Sequence, residues 1–79
     1  MGYHKVEIKK GKIGEFSKIR EEFEELQDAV GQDDSVLILC EMSDLYGAME
    51  EYLKKWNLNM NALEMFSNKT KEAFKEGKR

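Results

Sequence analysis

Glu41 and Asp44 are poorly placed for folding and well placed for chemistry. They stand three residues apart in the most apolar part of the chain, directly after Val36-Leu37-Ile38-Leu39-Cys40. On a helix this spacing stacks Leu37, Glu41, Asp44 and Ala48 into one strip. Ionised carboxylates on such a surface cost several kcal/mol if they stay unpaired. A sequence shaped only for folding would carry Leu or Ala at both positions, so something cationic must meet them.

A second acidic group lies upstream, in Arg20-Glu21-Glu22-Phe23-Glu24-Glu25-Leu26. Glu22 and Glu25 are again three apart, and this segment supplies no cation at the matching edge. If the two segments pack as antiparallel helices, Glu22 and Glu25 can face Glu41 and Asp44. Each close pair of like charges then costs roughly 4 kcal/mol at an effective dielectric near 20. Divalent cations relieve that cost, and oxygen ligands without His or Cys select Mg²⁺, Mn²⁺ or Ca²⁺ over zinc. The plainer alternative is a solvated acidic face on the first segment, with salt bridges from Glu41 and Asp44 to Lys or Arg on another helix.

The elements that must hold these residues are helical. Phe16, Ile19, Phe23, Leu26 and Val30 recur at spacings of three and four, which predicts a helix over 15–30 with one apolar stripe. Gly31-Gln32-Asp33-Asp34 ends it, and Asp34 or Ser35 is the expected N-cap of a second helix over 35–56. That helix is apolar most of the way round, with Met42, Leu45, Met49, Leu53 and Trp56 continuing one face, so it needs cover on most sides. After the turn Asn57-Leu58-Asn59, a third helix over 60–76 is expected to carry Leu63, Phe66, Thr70, Ala73 and Phe74 inward. Asn59 is its expected N-cap, and Gly77 its left-handed terminator. Residues 3–9 alternate weakly and suggest a short strand or extended arm. Gly47, mid-helix, costs about 1 kcal/mol relative to Ala, and is expected to allow a close helix crossing or to leave room beside Asp44.

The fold expected is all-α and a single domain over 1–79, with an arm over 1–13 and a helical core over 14–79. A helical hairpin plus a third helix would be completed into a four-helix-type bundle by association, as a homodimer or homotetramer. A chain of 79 residues has little core of its own, and its lone Cys40 offers no disulfide framework. Cys40 reads as a small core residue in a reducing compartment.

Glu21-Glu22-Phe23-Glu24-Glu25, then fifteen residues, then Glu41-Met42-Ser43-Asp44 resembles the EExxE…ExxD signature of the all-α nucleotide pyrophosphohydrolases. These are the MazG-like proteins, relatives of dimeric dUTPases and phosphoribosyl-ATP pyrophosphohydrolases. The ending Lys69-Thr70-Lys71-Glu72-Ala73-Phe74, with Gly77 and Arg79, is similar to short MazG-like proteins of phages and bacteria. The resemblance covers residues 14–79. It implies cleavage of a nucleoside triphosphate between its α and β phosphates, giving a monophosphate and pyrophosphate. It implies that Glu22, Glu25, Glu41 and Asp44 hold Mg²⁺, with Mn²⁺ a possible substitute. Glu21 would support them or act as base for the attacking water, and Lys69 and Arg79 would meet the phosphates.

Other features narrow the field. Tyr46, Trp56 and Phe66 are candidate walls for a base, although core or interface duty is the stronger explanation of them. His4 is a lone histidine with no expected chemistry, and one His with one Cys builds no catalytic triad or dyad of the usual kinds. A net charge of −3 argues against a nucleic-acid partner. No run of about 18 apolar residues exists to span a membrane. The opening residues lack a signal-peptide apolar region and the sixth-position Ser or Thr of a myristoylation signal, so a cytoplasmic protein is expected. The rival to an enzyme is a non-catalytic helical association module whose acidic cluster is structural.

Overall fold

The computed structural model describes residues 4–78. They form α1 (Phe16–Gly31), α2 (Ser35–Lys54) and α3 (Met60–Lys75). The chain is all-helical, and no strand occurs among the described residues. Residues 4–15 are irregular: an isolated strand over 3–9 would have had no neighbour to bond, and Tyr3 itself lies outside the described residues.

The caps follow the sequence closely. Asp34 Oδ1 accepts hydrogen bonds from the N–H groups of Val36 and Leu37, both at 3.1 Å. Asn59 Oδ1 accepts from Ala62 N–H at 3.0 Å. At the far end Gly77 takes a left-handed φ of 74°. The Lys78 N–H then reaches back to the Ala73 carbonyl at 2.8 Å, closing the helix terminus. Asp34 satisfies two otherwise orphaned donors at the turn that sets the hairpin. Asp34→Ala is expected to cost about 1 kcal/mol, read as a fall of roughly 4–8 °C in Tm for a domain of this size.

Helices α1 and α2 pack antiparallel, while α3 meets α2 only around Leu53, Leu58, Ala62, Leu63 and Phe66. What the hairpin buries is unusual. Among the described residues only Ala29 and Ala48 are buried apolar residues, small side chains that let the two backbones approach, and beside them lie buried Glu21, Glu22 and Glu41. The expected apolar stripe of α1 is therefore not the contact face. Phe16, Phe23 and Val30 are more than half exposed, because α2 covers the neighbouring acidic edge instead. On α2, Val36, Leu39 and Met42 are exposed, and so is Cys40, against its expected place in the core. On α3, Phe66 and Phe74 face solvent rather than inward.

The single chain is consequently spread out. Its accessible surface of 6453 Å² compares with about 4,900 Å² expected for a compact monomer of 9.2 kDa. Its radius of gyration is 14.4 Å, against roughly 12 Å for a compact chain of this length. No helix among the described residues is long and apolar enough to cross a membrane.

Candidate metal centre

Antiparallel packing sets Glu22 and Glu25 of α1 against Asp44 and Glu41 of α2. One carboxylate oxygen from each of these four residues lies within 4.8 Å of the others. Glu22 and Glu41 are buried, Glu25 is half-buried, and Asp44 opens to solvent. Glu22 Oε2 and Glu41 Oε2 are both buried and have no hydrogen-bond partner. A buried acceptor left unpaired normally costs about 1–3 kcal/mol, more when charged, so two in one cluster are an arrangement that a bound cation could satisfy.

Some cationic compensation comes from within the chain, and the sequence reading missed it. Lys18 of α1 stands one turn before the acids. Its Nζ lies 3.1 Å from Glu21 Oε1 and 3.2 Å from Glu22 Oε1. The helical spacing of Lys18 to Glu21 and Glu22 carried that signal, so the expectation that α1 supplies no cation is corrected. His4 is the larger surprise. Its Nδ1 lies 2.9 Å from Asp28 Oδ2, and its Nε2 lies 3.4 Å from Glu41 Oε1 and 4.0 Å from Glu25 Oε2. No local spacing could have announced this, since the N-terminal segment brings the ring across 24 residues.

Glu21 belongs to the mooring of that segment. Its Oε1 accepts from Gly11 N–H at 2.7 Å and from Lys18 Nζ, while Lys10 Nζ lies 3.5 Å from Oε2. Gly11 is needed there for space, because a β-carbon would collide with the Ser17 carbonyl. Burial alone would raise the Glu21 pKa, but the Gly11 amide and the two lysines outweigh it and hold it below the usual range.

Two cavities border the cluster. One of about 400 Å³ lies between His4, Ile8 and Lys10 on one side and Glu25, Glu41 and Asp44 on the other. A second of about 490 Å³ is lined by Lys18, Glu22, Asp44 and Gly47. Nothing stands within 4 Å of where a Gly47 side chain would begin, so this glycine leaves room beside Asp44 and makes no close helix crossing within the chain.

Two of the four carboxyls are shifted towards their protonated form. Burial raises the Glu22 pKa, and Glu25 beside it adds to the rise despite Lys18. Burial also raises Glu25, with its hydrogen bond to Glu41 next in weight. For His4, burial opposes protonation, but Asp28, Glu41 and Glu25 together raise its pKa above 6.5. All three groups bind protons more tightly folded than unfolded, so each stabilises the fold below its unfolded pKa and loses that contribution as pH rises through the folded one. In EDTA the protein is therefore expected to melt at a lower temperature at pH 8 than at pH 6, with the loss beginning above about 4.5 for the glutamates. Asp28 and Glu21 have lowered pKa values and act oppositely, but only in the more acid range near and below their unfolded values. A set of melting curves from pH 5 to pH 8 checks the direction.

Among the described residues the expected phosphate and base contacts are not brought to the cluster. Lys69 lies 6.0 Å from the centre of the Phe66 ring on α3, and no α3 residue lines either cavity at the cluster. Arg79 lies outside the described residues. Tyr46, Trp56 and Phe66 are exposed and border neither cavity, with Trp56 stacked edge-on against Tyr52. No family model matches the chain, and neither a curated protein nor a solved structure is similar to it.

Proposed function

We propose that this protein is a Mg²⁺-dependent nucleoside triphosphate pyrophosphohydrolase of the MazG-like kind, converting a (d)NTP to the (d)NMP and pyrophosphate. The observation that carries this reading is the pair of buried, unpartnered oxygens, Glu22 Oε2 and Glu41 Oε2, inside a four-carboxylate cluster. Hard oxygen donors of this kind fit Mg²⁺ or Mn²⁺. When bound, such an ion supplies charge neutralisation at the phosphates and a more acidic attacking water.

The chain's own residues divide the work. Glu22, Glu25 and Glu41 hold the ion from the packed interior, and Asp44 holds it from the solvent side, where a substrate arrives. Glu21 has its carboxylate engaged by Gly11, Lys18 and Lys10. Those contacts favour a supporting role over that of a base. The 400 Å³ cavity is of a size that takes small ligands. Lys10 on its rim is a phosphate partner within the chain, and Lys69 and Arg79 are kept as the further phosphate partners that the family resemblance implies.

We further propose a homodimer or homotetramer. The surface in excess of a compact monomer, roughly 1,500 Å², exceeds the ~800 Å² each partner contributes to a standard interface. The exposed Phe16, Phe23, Val30, Val36 and Leu39 supply its apolar content. Sedimentation at micromolar concentration is expected to show no significant monomer. The protein is taken to act in the cytoplasm, on soluble nucleotides.

The test is pyrophosphate release from a panel of NTPs and dNTPs in Mg²⁺, in Mn²⁺ and in EDTA. Release with Mg²⁺ and none in EDTA is expected. No release from any nucleotide would overturn the catalytic reading. The competing reading, a non-catalytic association module, is favoured by one observation: His4 and Lys18 already stand beside the carboxylates of the cluster, where Lys18 and a protonated His4 would balance them. That module would behave identically with Mg²⁺ and with EDTA.

A further inference from the structure

Histidine was not among the ligands that selected Mg²⁺, yet the fold delivers one to the cluster. Asp28 Oδ2 sits 2.9 Å from His4 Nδ1, and the same oxygen accepts from Gln32 Nε2 at 2.8 Å and from Lys5 N–H at 3.1 Å. When the imidazole is neutral, a carboxylate held in this way favours the Nδ1–H tautomer. The lone pair is then on Nε2, the atom that faces Glu41 Oε1 at 3.4 Å and Glu25 Oε2 at 4.0 Å. A carboxylate behind one ring nitrogen and an open lone pair at the other is the usual support of a metal-binding histidine. The spacing suits it as well, since ligand atoms each ~2.1 Å from one ion stand roughly 3–4 Å apart. Glu41, whose other oxygen, Oε2, is buried and unpartnered, belongs to the same group as His4 and Glu25.

We propose that His4 is a nitrogen ligand at this centre, forming with Glu25 and Glu41 a site for a borderline first-row ion such as Mn²⁺, Fe²⁺ or Co²⁺ in preference to Mg²⁺. This rests on the metal-site reading above and changes its donor set from all-oxygen to mixed, and with it the preferred ion from Mg²⁺ to a borderline one. Imidazole adds affinity along the series from Mn²⁺ towards Cu²⁺, whereas Mg²⁺ gains little from nitrogen. Asp28 is a positioning residue, acting through the ring.

His4 is the only histidine in the chain, so any imidazole signal on a bound metal reports it alone. The experiment uses the untagged full chain, freed of metal, at pH 8. Co²⁺ and Mg²⁺ are titrated calorimetrically into the wild type, His4→Ala and Glu41→Gln, and Mn²⁺-loaded wild type is examined by pulsed electron paramagnetic resonance for coupling to imidazole nitrogen. Nitrogen coupling is expected in the wild type. His4→Ala is expected to weaken Co²⁺ by about 10–100-fold while changing Mg²⁺ affinity much less. Glu41→Gln is expected to weaken both ions.

Absence of nitrogen coupling on bound Mn²⁺ would overturn the proposal, even if His4→Ala failed to fold. So would equal Co²⁺ affinity in wild type and His4→Ala. In either case binding of Mg²⁺ that is lost in Glu41→Gln would leave the carboxylate site standing. If neither ion bound the wild type, both readings would fall together.

Discussion

Glu41→Gln is expected to lower pyrophosphate release by about 10³-fold or more, and to leave the metal-free protein at least as stable as the wild type. The two halves have one cause. Glu41 is 5% exposed, so its amide counterpart keeps the shape of the packed side chain and removes only charge. That charge sits among Glu22, Glu25 and Asp44 with Oε2 unpartnered, and its removal relieves repulsion in the absence of metal. With metal the sign reverses. Losing a ligand removes several kcal/mol of transition-state charge stabilisation, and each 1.36 kcal/mol is tenfold in rate.

The association-module reading expects the opposite pair of results. There the contact of Glu41 with His4 at 3.4 Å is structural, so Glu41→Gln should lower the melting temperature in EDTA. Measuring the melt and the hydrolysis on the same preparation separates the two. A destabilised variant would mean that His4 and Lys18 already complete the cluster. Glu64→Gln, on exposed α3, is the control and should change neither quantity.

The helices were legible because their signals are local. The α1 stripe, the Asp34 and Asn59 caps and Gly77 each depend on residues within a turn or two, and each element lies within two residues of its expected bounds. The convergence of Glu22, Glu25, Glu41 and Asp44 was legible for a related reason. A tight turn between two periodic helices favours antiparallel packing, and the three-residue spacing within each acidic pair then lets the two pairs meet. The facing of each helix was not legible. The pattern marks Phe16, Phe23 and Val30 as apolar without saying whether α2 or another surface covers them; within this chain all three stay more than half exposed, with Phe16 meeting α2 edge-on at Tyr52. His4 was illegible for a different reason, since its place depends on the path of residues 4–15. That path is set by two contacts distant in sequence, Gly11 with Glu21 and His4 with Asp28.

Adding Mg²⁺ to the metal-free protein is expected to raise its melting temperature by roughly 10–20 °C at a concentration of 100 Kd. An ion that binds only the folded state stabilises it by RT ln(1 + [L]/Kd), about 2.7 kcal/mol at that ratio. For a domain of this size each kcal/mol is worth roughly 4–8 °C. Protein concentration must be held fixed, because association would shift the melt independently. The control is NaCl at matched ionic strength. Salt screens exposed charges across about 10 Å at 0.1 M, but it cannot place a cation against Glu22 Oε2 and Glu41 Oε2, which solvent does not reach. A shift produced by Mg²⁺ and not by NaCl, and lost in Glu22→Gln and in Glu41→Gln, therefore requires an ion inside the cluster. Equal shifts from the two salts would mean diffuse screening of a surface of net charge −3. Lys18 and His4 would then be the only cations this centre uses.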